Sequence, residues 1–132
     1  MFKRAALLLL LTGSVAILGH AQKADTDDDR TNGLLNGRFW TKLPEHGDKV
    51  WFVIGYCEGA AVDGLAKCPA QSEFGEIVRG IDRFYQEPEN LRLPFMAAVK
   101  IFAMKVTGAK ATEIEAFMDR VRKDADAPLP KK

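Results

Sequence analysis

Few side chains of this sequence could carry a proton, attack a substrate or bind a metal ion. A Ser-His-acid or Cys-His site needs a histidine to carry the proton. Apart from His20 in the N-terminal apolar stretch, the sequence holds only His46, in a polar stretch where we expect it to be exposed. A zinc site needs three or four nitrogen or sulfur ligands, and His46, Cys57 and Cys68 could supply three only if the cysteines were not bridged. We therefore predict no catalytic residue, no metal site and no cofactor.

Paired carboxylates are the other group that could do chemistry. Glu58 and Asp63 lie in a mainly apolar segment, and Glu76 and Asp82 lie in the segment that follows. A glycoside-hydrolase pair needs a cleft between its two acids, which a compact helical domain of this size rarely has. We expect ion pairs instead, with Glu76 paired to an arginine on its own helix and Glu58 to a basic residue across the bundle. The carboxylates thus favour a protein that is not an enzyme.

The N-terminus has the three-part layout of a secretory signal. Lys3 and Arg4 precede apolar runs over 5–11 and 15–18, and small residues follow at Gly19 and Ala21. We predict that residues 1–21 are a signal peptide and that the mature protein is periplasmic or secreted. The alternative is a retained N-terminal anchor, but the apolar run is short of the roughly 20 residues that span a bilayer. No later segment is apolar enough to span, so we expect no membrane segment in the mature form.

The charge balance gives no support to a nucleic-acid partner, and we predict none. The chain has 19 basic and 18 acidic residues, and removal of the signal peptide takes away two basic residues and no acidic one. The mature net charge is then about −1, whereas a nucleic-acid-binding protein needs a basic face. Roughly 110 residues remain, which is enough for a single domain with one core.

Cys57 and Cys68 are the only cysteines. In an oxidising compartment an even pair is expected to be bridged, so we predict a Cys57–Cys68 disulfide. Two buried thiols are the alternative. A redox-active pair usually has Cys-x-x-Cys spacing, so we do not expect these two to be catalytic.

The apolar periodicity predicts an all-α fold, a compact orthogonal bundle of about five helices. Residues 22–31 are predicted to be a flexible acidic lead-in, since the aspartates there do not follow the ligand spacing of a calcium loop. The helical domain is predicted over 32–124 and a disordered tail over 125–132, where Pro128 and Pro130 forbid helix. Ser72 is an expected N-cap, and Thr112 to Glu115 an expected capping box. No segment shows the alternation typical of a strand. The five helices are predicted over about 32–43, 48–65, 72–85, 94–106 and 112–124.

Gly55 and Gly59 stand four residues apart on the second predicted helix. Glycines at this spacing let another backbone come close. We therefore expect a tight helix crossing at these two positions, with the second helix at the centre of the bundle.

The aromatic residues exceed what one apolar stripe per helix can bury, which leaves two interpretations. They either fill a core closed on several sides or form an exposed patch that docks a partner. The joint between the third and fourth helices is the predicted partner surface, because Pro88 and Pro94 stiffen it and charges there could orient a partner. A simple helix connection is the alternative. The residues predicted to bind the partner are Phe84, Tyr85, Glu87, Glu89 and Arg92.

Three motifs are similar to those of a known family. They are the helix segment Gly55-Tyr56-Cys57-Glu58-Gly59, the turn Cys68-Pro69, and the segment Pro88-Glu89-Asn90-Leu91-Arg92-Leu93-Pro94. Over roughly 33–106 the sequence resembles the Rap1a/Tai immunity proteins, a family of secreted helical proteins. In that family a cysteine usually precedes the Gly-Tyr pair, whereas Cys57 follows it here. The resemblance implies a protein that binds and neutralises peptidoglycan-amidase toxins delivered between bacteria.

The sequence therefore supports one leading hypothesis and two alternatives. The first is an exported, non-enzymatic binding protein, an immunity-type inhibitor whose protein partner is a secreted hydrolase or toxin. The second is a small exported, envelope-associated structural protein with no toxin partner. The third is an enzyme, which would need an open cleft with converging acids.

Overall fold

The computed structural model describes residues 27–63 and 68–127, and the architecture is all-α, as the sequence predicts. Two 3₁₀ helices, Asp27–Asp29 and Pro88–Arg92, accompany the α-helices, and a two-stranded ribbon lies near the N-terminal end of the described chain. The five α-helices of this part of the chain are α1 Gly37–Lys42, α2 His46–Asp63, α3 Phe74–Tyr85, α4 Phe95–Val106 and α5 Ala111–Asp126.

The first predicted helix is wrong over its first half, which is a β-hairpin. Strand β1, Arg30–Thr31, pairs antiparallel with strand β2, Leu34–Leu35. The connecting residues Asn32 and Gly33 have φ of 53° and 81°, the left-handed values that a two-residue hairpin turn needs and that Asn-Gly supplies. Local turn chemistry therefore overrides the helical spacing of the leucines.

The lead-in residues 27–31 belong to the folded domain, so the prediction of a flexible segment is wrong for them; residues 22–26 lie outside the described residues. Asp29 is 1% exposed, and the Lys42 ammonium lies 2.6 Å from its carboxylate. Asn36 is fully buried: its side-chain oxygen accepts from the backbone N–H groups of Arg38 and Phe39, which caps α1. Its amide nitrogen donates to the Asp28 carbonyl at 3.0 Å. Burial and pairing together explain why this acidic stretch is ordered.

Two expected helix caps are also wrong. Helix α3 begins at Phe74 after Glu73, which makes no side-chain capping hydrogen bond, so Ser72 does not cap it. At α5 the carboxylate of Glu113 accepts from the Lys110 backbone N–H at 2.9 Å, two positions before the predicted box. Helix α5 continues to Asp126, so the first two residues of the predicted disordered tail are helical. Residues 128–132 of that tail lie outside the described residues.

The core lies where α1, α2, α3 and α4 meet. Helix α3 contributes an i, i+3/i+4 stripe, and α4 is buried along most of its length. Phe95 contacts three aromatic rings at centroid distances of 5.0 to 5.3 Å, so most of the surplus aromatics pack together rather than form a surface patch. The cluster of buried residues consists of Trp40, Val53, Cys57, Ile77, Val78, Ile81, Tyr85, Phe95, Ala98, Val99 and Phe102.

Close helix packing occurs at Gly80 and Gly37 rather than at the predicted pair. A Cβ on Gly80 would lie 2.2 Å from the Phe102 ring, and one on Gly37 would lie 2.3 Å from the Tyr85 ring. A Cβ on Gly55 or Gly59 would meet no atom within 4 Å. The prediction of a tight crossing at Gly55 and Gly59 is therefore wrong, because these two glycines lie on the solvent side of α2.

The predicted disulfide is present. Cys57 and Cys68 are bonded, with their Cα atoms 5.6 Å apart. The bridge ties the buried side of α2 to the start of the segment that leads into α3. It therefore fixes the chain on both sides of residues 64–67.

Reduction of this bridge should lower the free energy of unfolding by about 3 kcal/mol, because the bridge restricts the unfolded chain. Urea unfolding of the secreted protein with and without reductant measures the change. A Cys57→Ala/Cys68→Ala variant is the control, since reductant should not alter its unfolding curve. Two thiols that can be alkylated in the unreduced protein would contradict the bridge.

The glycines give a second prediction, with a matched pair of substitutions inside helices. Gly80→Ala should destabilise the fold by about 1–3 kcal/mol, because the new methyl group overlaps the Phe102 ring. Gly55→Ala should instead stabilise it by up to about 1 kcal/mol, because alanine favours helix and the site is open. Thermal unfolding of the two variants tests the difference, and a loss of similar size in both would show that the packing assignment is wrong.

Candidate functional site

The side chains that could do chemistry are scattered over the domain. His46 is exposed at the start of α2, and both cysteines are in the disulfide. No three His, Cys, Asp or Glu side chains of the described residues are close enough to hold a metal ion together. Glu58 and Glu76 are exposed. Neither makes the predicted ion pair with another residue of the described chain.

Unlike Glu58 and Glu76, Asp82 makes hydrogen bonds to side chains of other helices. One oxygen, Oδ1, accepts from the Trp40 indole N–H at 2.8 Å and from the Lys49 ammonium at 2.6 Å. Lys49 also lies over the Trp40 ring, 5.1 Å from its centroid. The three residues come from α1, α2 and α3, and Trp40 is fully buried. This arrangement satisfies a buried indole and joins three helices, so its role is structural.

The predicted partner residues at the α3–α4 joint have separate environments. Tyr85 is 4% exposed, and its hydroxyl donates to the Leu93 carbonyl at 3.1 Å. Burial raises the pKa of Tyr85 above its ordinary value. Phe84 is half-buried, with its ring 5.0 Å from that of Tyr85. Tyr85 is thus a core residue that a partner could not touch without unfolding, while Phe84 packs at the edge of the core.

The charges of the same joint are largely engaged by α5. Glu89 lies 3.0 Å from the Arg122 guanidinium, and Arg92 pairs with Asp126. Glu87, another of the predicted partner residues, is exposed, as Glu89 is. Helix α5 has no buried residue of its own, so these pairs at its C-terminal end help to position it over the joint. A partner at the joint stays a prediction, and such a partner would have to share this surface with α5.

An apolar groove, which the sequence analysis missed, lies between the β-hairpin, α2 and α4. Its volume is about 300 Å³, enough for one or two large side chains. The rings of Phe52, Tyr56 and Phe95 pack edge to face. Leu34 and Met96 are each 46% exposed. The residues that line the groove are Arg30, Gly33, Leu34, Leu35, Phe52, Tyr56, Phe95 and Met96.

Two polar groups accompany these apolar walls. Burial raises the pKa of Tyr56 above its ordinary value, and its hydroxyl can both donate and accept a hydrogen bond. The Arg30 side chain donates to the Gly33 carbonyl at 2.9 Å, which places a positive charge beside the hairpin turn. An apolar concave surface with a few polar groups can bind side chains or small apolar groups.

The sequence did carry a signal for the groove. Asn32-Gly33 followed by two leucines indicates a hairpin tip that presents apolar side chains. Phe52 and Tyr56 stand four residues apart, on one side of α2. The groove forms only when this hairpin and α4 are brought against α2, and the spacing of residues within one element does not reveal that.

The chain matches no protein-family model, no curated protein and no solved structure. The resemblance to immunity proteins therefore stands on the motifs quoted above. Within the described residues no helix is both long enough and apolar enough to cross a membrane.

The two ion pairs at the joint lead to a prediction about stability and binding. Glu89→Ala/Arg92→Ala should leave the melting temperature nearly unchanged, because all four side chains are at least 36% exposed and exposed pairs contribute at most about 1 kcal/mol. Thermal unfolding and binding to the partner are measured on the same preparation. If binding is also unchanged, the joint is not the interface.

Proposed function

We propose that this protein is an exported, non-enzymatic binding protein that inhibits a cell-wall-degrading enzyme, and that the apolar groove is its main contact surface. The exposed, concave apolar surface lined by Leu34, Met96 and the aromatic rings carries the proposal. Export rests on the signal layout of residues 1–21. The Cys57–Cys68 bridge is typical of proteins from an oxidising compartment.

An inhibitor needs binding energy and no chemistry of its own. Protein interfaces draw most of their affinity from a few apolar or aromatic anchors that fill pockets. The groove can take such an anchor because Phe52, Tyr56 and Phe95 hold one another in fixed orientations. A surface that is already formed loses little conformational freedom on binding. These properties favour a contact surface over an active site.

Two variants of α4 test the groove. Met96→Asp places a charge in the groove and should weaken partner binding about tenfold or more. Val106→Asp makes the same kind of change at a position outside the groove that is similarly exposed, at 50% against 46%, and should leave binding unchanged. The secreted protein is immobilised, exposed to a periplasmic extract of the source bacterium, and the captured proteins are identified by mass spectrometry.

Inhibition decides between the two classes of function. The captured hydrolase should digest purified peptidoglycan more slowly when the wild-type protein is added, and Met96→Asp should restore digestion. If Met96→Asp and Val106→Asp bind a captured hydrolase alike, the groove is not its contact surface. If no hydrolase is captured, the inhibitor function is wrong. The envelope-associated structural protein would then be the remaining hypothesis.

A further inference from the structure

Trp51 is the most exposed large apolar residue of the described chain, at 73%. It lies on α2, one position before Phe52 of the groove. Gly47, Gly55 and Gly59 lie on the same side of α2, at four-residue steps, and a Cβ on any of the three would meet no atom within 4 Å. The indole is therefore the one large apolar side chain among these glycines. We call this side of α2, which carries Gly47, Trp51, Gly55 and Gly59, the Trp51 face.

The exposed charges of the Trp51 face are negative. Asp48 precedes Trp51 by three positions and Glu58 follows Gly55 by three, so both carboxylates are on this side of the helix. Both are exposed, and neither pairs with another described residue. Lys49 is the one lysine or arginine of α2; its side chain is 18% exposed and its ammonium is bound to Asp82 on α3. The face thus combines an exposed indole with carboxylates that have no counter-charge on the helix.

A positively charged partner fits this combination better than the alternatives. The face of an indole ring attracts lysine and arginine side chains, and carboxylates attract the same groups. A second copy of the face, related by a two-fold axis, would bring the acids of one copy toward those of the other, which is unfavourable. A membrane surface with anionic lipids would likewise be repelled.

We propose that the Trp51 face binds a basic segment of the protein partner, with one arginine or lysine over the Trp51 indole and beside Asp48. This proposal rests on the proposed function and adds the chemistry of the partner. Asp48 and Glu58 are ten positions apart, which is about 15 Å along an α-helix. A second basic side chain at that distance would reach Glu58. The bare backbone at Gly55 lets the partner chain approach between the two contacts.

The Trp51 face and the groove adjoin along α2, so one partner can cover both. Trp51 and Gly55 each stand one position before a groove residue, Phe52 and Tyr56, and successive residues of a helix are about 100° apart around its axis. An apolar anchor in the groove would supply affinity. The basic segment on the Trp51 face would fix the orientation and speed the encounter.

A charged peptide is the direct probe of this chemistry. An alanine-based helical peptide with two arginines ten positions apart is titrated into the full secreted protein by calorimetry, and the same peptide with glutamates serves as the control ligand. We expect the arginine peptide to bind, with an affinity that falls as salt is added, and the glutamate peptide not to bind. Because Trp40 is fully buried, a change in tryptophan fluorescence should report on Trp51.

Two pairs of substitutions separate local from overall charge. Asp48→Asn/Glu58→Gln should weaken binding of the arginine peptide about tenfold or more. Glu76→Gln/Glu115→Gln removes the same charge from exposed positions on α3 and α5 and should leave the affinity nearly unchanged. The proposal is wrong if the arginine peptide does not bind, or if both pairs of substitutions weaken it equally.

Capture of the natural partner distinguishes this inference from the proposed function. If wild-type protein captures a hydrolase and Trp51→Ala captures it about tenfold less well, both stand. If Trp51→Ala captures it equally well, the inference falls and the function remains. If wild-type protein captures no hydrolase, the proposed function falls, and the peptide titration decides whether the Trp51 face binds cations.

Discussion

The burial of Trp40 is the constraint on which the rest of this fold depends. A fully buried indole must give its N–H to an acceptor, and here it is the Asp82 carboxylate on α3, 2.8 Å away. Lys49 on α2 balances the charge of Asp82 at 2.6 Å and lies over the indole ring. Short helix α1 has six residues and could not stay helical alone. The contacts of the Trp40 side chain hold α1 against α2 and α3.

The arrangement around Trp40 also determines what is left on the surface. Phe95 packs on Trp40 at 5.3 Å and on the rings of Phe52 and Tyr56. Packing against the core sets the orientation of these rings, and Phe52, Tyr56 and Phe95 line the groove beside the β-hairpin. The hairpin is in turn held by the buried Asn36, which bonds both to α1 and to the chain before β1. Ring packing in the core thus orients the aromatic wall of the groove, a property that suits binding.

Several polar side chains of this domain bind other groups of the same domain. Asp82, Asn36 and Asp29 each satisfy partners inside the domain, and the charges at the α3–α4 joint position α5. Two of the carboxylates that pair with no other described residue, Asp48 and Glu58, lie on the outer face of α2, next to the most exposed large apolar residue of the described chain. Aromatic residues are enriched in protein interfaces, whose rims are polar. This distribution is the reason to propose a partner surface on α2 rather than at the joint.

The sequence by itself determined the helical class of the fold and the Cys57–Cys68 bridge. The stripes of α3 and α4 repeat at the helical period, and periodicity is a local property that one segment records completely. It did not determine the hairpin, because Asn32-Gly33 competes with leucines at helical spacing. Gly55 and Gly59 suggested close packing that occurs at Gly80 and Gly37 instead. A glycine allows another element to come close but does not show that one does.

Tertiary structure alone decided which surfaces can bind. The groove joins residues from 30–35, 52–56 and 95–96, and the side of α2 that faces solvent depends on where α3 and α4 pack. Tyr85 and Trp51 are both aromatic residues of amphipathic helices, yet one is 4% exposed and the other 73%. Tyr85 lies on the apolar stripe of α3, and Trp51 lies on the side of α2 away from the buried residues Val53 and Cys57. The difference arises from the contacts that other elements make, because burial depends on the whole packed chain.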